Sequence, residues 1–78
     1  PDRMIEHAVE HFERLRALAL KKKPATAELL QWMQVLDRMA IDVKNLQPKQ
    51  AEALALSYCV LAKTKEDLAL MQSTLSQA

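Results

Sequence analysis

From about Asp2 to Leu20, apolar residues recur at three- and four-residue steps: Ile5, Val9, Phe12, Leu15 and Ala19. That spacing places them on one face of a helix. Glu6, Glu10, Glu13, Arg14 and Arg16 fall mainly outside the stripe, and Glu10 with Arg14 makes a favourable i,i+4 pair. Asp2 stands where a helix N-terminus favours a carboxylate, and Lys21 to Lys23 stand where a C-terminus favours cations. Pro24 disfavours helical geometry at Lys23 and so closes the segment.

A second helix is expected from Ala25 or Thr26 to about Ala40, with Pro24 tolerated at its entrance. Leu29, Trp32, Met33, Leu36, Met39 and Ala40 would form its buried face. Asp42 to Gln47 lacks a sustained period, and Asn45 and Pro48 mark a turn. A third helix should run from about Pro48 to Ala62, burying Ala51, Leu54, Ala55, Tyr58 and Leu61 with Val60 beside them. Thr64-Lys65-Glu66-Asp67 reads as a variant capping box, opening a fourth helix to about Ser76 that buries Leu68, Met71 and Leu75. Short connections imply antiparallel neighbours. The expectation is an all-α, compact bundle of about four short helices, with residues 1–78 forming a single domain. Its core would centre on Phe12, Leu15, Leu29, Trp32, Leu36, Leu54, Tyr58, Leu61, Leu68 and Met71.

Composition narrows the chemistry. In 78 residues there is no Gly, so phosphate-cradling Gly-rich loops are excluded and helices must stop without the usual C-terminal Gly. Apolar residues make up 50% but aromatics only 4%, which leaves Leu, Ala and Met to fill the core. A net charge of +1 offers no electrostatic case for nucleic acid or an anionic membrane. No apolar run approaches the about 18 residues of a membrane span, and no signal peptide is visible. A single cysteine cannot make an internal disulfide, which favours a reducing, cytoplasmic setting. The start at Pro1 suggests a piece of a longer protein.

Candidate reactive groups are few. His7-Ala8-Val9-Glu10-His11 matches a His-x-x-Glu-His zinc pattern, and two His at i and i+4 share a helical face. A third ligand and a substrate cleft are missing from the pattern, so both are expected as solvent-side or rim histidines and no metal site is assigned. Cys59 lies late in a helix, where the dipole opposes a thiolate, and is expected as a small buried or half-buried hydrophobe. The four Met residues read as core filler. Lys21 to Lys23 read as a solvated helix end that could also reach an anion at the start of the second helix. No catalytic constellation is present.

One stretch is more specific. Lys22-Lys23-Pro24-Ala25-Thr26-Ala27-Glu28-Leu29-Leu30-Gln31-Trp32 resembles the lid of MoxR-like AAA+ ATPases, in the branch that reads Lys-Pro-small-small-small-Glu-Leu-Leu-x-Trp. Phe12, Leu15 and Arg16 are similar to the end of that lid's first helix. Leu61, Lys63, Thr64, Glu66, Asp67 and Leu68 resemble its Leu-x-Lys-x-Arg/Glu-Asp-Leu ending. The resemblance implies a non-catalytic C-terminal lid that closes over ATP and Mg bound to an upstream α/β domain. It implies contacts with that domain and with neighbouring subunits of a ring, and chaperone-like work alongside von Willebrand A-domain proteins. On this reading Lys22, Lys23, Pro24, Thr26 and Glu28 face the nucleotide. The parent would be an ATPase although this chain is not. Two departures stand out: no Arg occupies the usual sensor position at the start of the second helix, and Ala25 replaces a capping Ser, at a cost of about 1 kcal/mol. The alternative is a stand-alone helical adaptor that binds a partner protein. A helix-turn-helix is disfavoured by the absence of a basic recognition face.

Overall fold

The computed structural model describes residues 2–77, without the side chains of Asp2, Ser76 and Gln77. Pro1 and the expected N-terminal role of the Asp2 carboxylate therefore lie outside the described residues. Four α-helices follow one another: α1 (Asp2–Arg16), α2 (Thr26–Arg38), α3 (Ala51–Ser57) and α4 (Lys65–Ser73). Single 3-10 turns occupy Pro48–Gln50, Tyr58–Val60 and Thr74–Gln77, and no strand occurs among the described residues. The fold is an all-α small bundle.

One apolar cluster holds it together. Ala8, Phe12 and Leu15 of α1, Trp32 and Leu36 of α2, Ile41, Leu54, Tyr58, Leu61 and Met71 are buried in it. Leu29 and Leu68 are half-buried and pack against it. Trp32 donates its indole N–H to Ser57 Oγ at 2.9 Å, and that hydroxyl donates to the Leu54 carbonyl at 2.6 Å. The largest side chain thus enters the core without an orphaned donor.

The first helix stops four residues earlier than its periodicity predicts. After Ala17 N–H bonds Glu13, the chain tightens: Leu18 N–H bonds Leu15, and Leu20 N–H bonds Leu18. This turn folds Leu18 and Leu20 onto the core and leaves Ala19 exposed. Lys21 to Lys23 consequently lie beyond the last turn, although Lys23 Nζ reaches back to donate to the Arg16 carbonyl at 2.7 Å. Ile5, expected inside, is 52% exposed. Val9 is half-buried.

The end of α2 answers how a chain without Gly turns. Ile41 N–H bonds the Leu36 carbonyl and Ala40 N–H bonds that of Asp37, with Ala40 at φ 55°. That is a complete Schellman motif with an Ala in the left-handed position, and Ile41 packs back near Leu36 as the motif requires. Met39 and Ala40 are therefore exposed rather than core, and Ile41, which the periodicity did not assign, takes their place. The third helix is also shorter than expected. Pro48–Gln50 and Tyr58–Val60 are tightened into 3-10 geometry around it, and the Ser57 hydroxyl back-bonds its own turn. This rotates Cys59 outward; it is exposed, not the buried hydrophobe expected.

Candidate functional site

The segment from Leu20 to Trp32 forms one end of the bundle together with the start of α4. Thr64 caps α4 as anticipated, its hydroxyl accepting from Asp67 N–H at 3.0 Å. The reciprocal arm of a capping box is redirected. Asp67 accepts Lys21 N–H at 2.8 Å on Oδ1 and Lys22 N–H at 3.0 Å on Oδ2. The residue is 2% exposed. The Lys21 amide above all, with those of Lys22 and Thr64's hydroxyl, holds its carboxyl below the usual carboxylate range. A buried acid thus fixes the α1–α2 connection through the backbone rather than through lysine ammonium groups.

Further contacts make the connection rigid. Arg16 Nε donates to the Pro24 carbonyl at 2.9 Å, and the Pro24 ring is fully buried. Ala25, at φ −99° and ψ 177°, is the N-cap of α2 and supplies no side-chain acceptor. Glu28 provides half of a capping box, its Oε1 accepting Ala25 N–H at 2.8 Å. The same oxygen lies 3.2 Å from Lys63 Nζ. The Ala25 amide first, and Lys63 next, hold the Glu28 carboxyl below its ordinary range. Glu28 therefore serves its helix by a directed hydrogen bond and not by charge alone.

Among the residues expected to face a nucleotide, Lys22, Lys23 and Thr26 are exposed, Pro24 is buried and Glu28 is half-buried and engaged. All five belong to one end of the molecule. Lys21 pairs with Glu66 at 3.3 Å across the same surface, and Lys63 and Lys65 are exposed beside it. The two blocks that carry the family resemblance, 22–32 and 61–68, are joined here by Glu28–Lys63 and by Asp67 on the Lys21 and Lys22 amides. Sequence reasoning placed Asp67 as part of a capping box and of the block that resembles the lid's ending. Its long-range role has no local signal, since a capping carboxylate and a clamping one occupy the same position.

The histidines do not converge. His7 Nδ1 lies 3.3 Å from Asp42 Oδ1, pinning the loop after α2 to α1. His11, expected at the solvent side or rim, is half-buried and built into the core. Its Nε2 lies 2.6 Å from the Tyr58 hydroxyl. Its ring stacks on Trp32 at 5.7 Å and on Tyr58 at 5.9 Å. Burial, with the Arg14 charge adding, pushes His11 down to about 4, and burial pushes Tyr58 up to about 12. Both are neutral near pH 7, and neither is poised as a base. No group of three His, Cys, Asp or Glu side chains among the described residues is placed to hold a metal ion. No helix of the described residues is long and apolar enough to cross a membrane. Comparison with protein-family models, curated proteins and solved structures returns no match.

Proposed function

We propose that this chain is a non-catalytic helical lid of a MoxR-like AAA+ ATPase, closing over ATP and Mg held mainly by an upstream α/β domain. One observation carries the reading. The two blocks that resemble the family's lid, distant in sequence, are tied to each other by Asp67 and by the Glu28–Lys63 pair. Those contacts hold the two blocks at one end of the bundle, which is the arrangement a lid built from both of them needs.

The roles follow from that end of the bundle. Asp67 and Arg16 hold the connection, Pro24 anchors it, and Lys22 in the connection and Thr26 at the first residue of α2 stand exposed to face the nucleotide. Lys22 supplies the cationic contact that the missing sensor arginine would have made. A lid of this kind transmits nucleotide state to neighbouring ring subunits by rotating as a body, which a connection pinned at both ends permits. Chaperone-like remodelling of partner complexes, alongside von Willebrand A-domain proteins, is the output.

Amide exchange in the natural protein tests the assignment. Bound ATP should slow exchange across residues 22–28, while the adaptor reading leaves those amides indifferent to nucleotide. Indifference would remove this end of the domain from the nucleotide site.

A further inference from the structure

The loop between α2 and α3 is organised around one carboxylate. Asp42 Oδ1 accepts Lys44 N–H at 3.0 Å, and Oδ2 accepts the Asn45 side-chain amide at 3.1 Å, so the chain coils around the acid. The same Oδ1 lies 3.3 Å from His7 Nδ1 on α1. Among the described residues this is the hydrogen bond that ties the loop to α1. The other anchors, Ile41 N–H on the Leu36 carbonyl and Gln50 Nε2 on the Ala40 carbonyl, join it to α2 and to the turn before α3. Val43 of this loop shares the walls of an apolar groove with Met4 and Ile5 of α1.

The chemistry of the tie depends on a proton. A carboxylate only accepts, so His7 Nδ1 carries a hydrogen in this contact. A doubly protonated ring meets Asp42 as an ion pair. A neutral ring offers an N–H without the charge or, in its other tautomer, a lone pair facing the acid. The side chains of His7 and Asp42 are only 16% and 24% exposed, so water screens this difference less than at an open surface. Asp42 stays ionised, because the Lys44 amide first, then the Asn45 amide and His7, hold its carboxyl below the ordinary range. The other charged groups around the tie are set apart from it. Arg3 and Glu10 stand a turn to either side of His7 with opposite charges, and Lys44 and Asp37 are exposed. His11 turns its ring to Trp32 and Tyr58.

We propose that the His7–Asp42 pair is a pH-sensitive latch on the α2–α3 loop, fastened to α1 while His7 carries its second ring proton and loosened as that proton leaves with rising pH. Ala40, at φ 55° directly before the loop, holds backbone strain of the kind that gathers at switch regions. Loosening the latch frees Val43 from α1 and widens the apolar surface beside Met4 and Ile5. The device uses no residue of 22–32 or 61–68, so it holds for a lid and for an adaptor alike.

An NMR titration of the protein from pH 5 to 8 tests this. The His7 ring Cε1–H reports its own protonation, and the Lys44 and Asn45 amides and Val43 methyls report the loop. His11, pushed down to about 4 by burial first and the Arg14 charge second, keeps its charge state over this range. The loop signals should move with the same midpoint as the His7 ring. Protection of the Lys44 amide, corrected for base-catalysed exchange, should fall about threefold from the protonated to the neutral end. His7→Gln keeps a donor for Asp42 but cannot titrate, and its loop signals should stay flat. Loop signals that ignore the His7 titration in the wild type overturn the proposal. So does a loop titration that persists in His7→Gln.

Discussion

His11 makes the stability of this domain depend on pH in a direction that can be worked out in advance. Its ring lies between Trp32 and Tyr58, and its folded-state value of about 4 is below the ordinary 6.5. The unfolded chain therefore takes up a proton more readily than the folded one. The stabilising effect of a neutral His11 is complete above pH 6.5 and is lost as pH falls from there towards 4. Between those limits the loss by pH 4.5 is about 2.5 kcal/mol, an upper figure because the half-exposed ring is partly screened by water. A domain of this size has roughly 4–12 kcal/mol in all, so the change is large. Urea unfolding followed by the single tryptophan, Trp32, at pH 7.5, 5.5 and 4.5 reads it. His11→Gln retains a hydrogen-bonding group for Tyr58 but cannot titrate. Its stability should stay nearly flat over the same interval. Parallel losses in wild type and His11→Gln would refute the reasoning and move the acid sensitivity to other groups.

Two further outcomes follow from the backbone contacts. Asp67→Ala should release the Lys21 and Lys22 amides to fast hydrogen exchange and lower the unfolding midpoint, whereas in the wild type their protection should persist at pH values below the ordinary carboxylate range. Ala40→Gly should raise stability by about 1 kcal/mol in urea unfolding, because Gly adopts the left-handed position of the Schellman motif without a Cβ clash.

The helices were legible because α1 and α2 carry a clear 3.6-residue stripe, and Pro24, Pro48 and Thr64 punctuate the chain. Boundaries were less so. Ala19 and Leu20 continue the apolar pattern of α1, yet the chain turns at Ala17 because the Lys21 and Lys22 amides reach an acid far along the sequence. Periodicity cannot register such a bond. The same limit hid His11, whose polar identity suggests the surface while its neighbours on other elements supply two rings and a hydroxyl. Ile41 was missed because it follows the helix, and only the positive φ of Ala40 turns it inward. Of the candidate site, the segment 22–32 stood out from sequence. Its attachment to 63–67 depends on tertiary contacts.

ATP turnover by the natural protein, compared with a version lacking residues 1–78, tests the lid reading most directly. The account predicts that the whole protein hydrolyses ATP and that removing these residues abolishes or greatly weakens turnover. Turnover that is indifferent to their removal, or a natural protein without a nucleotide-binding segment upstream, would contradict it and favour an adaptor that acts through partner binding alone.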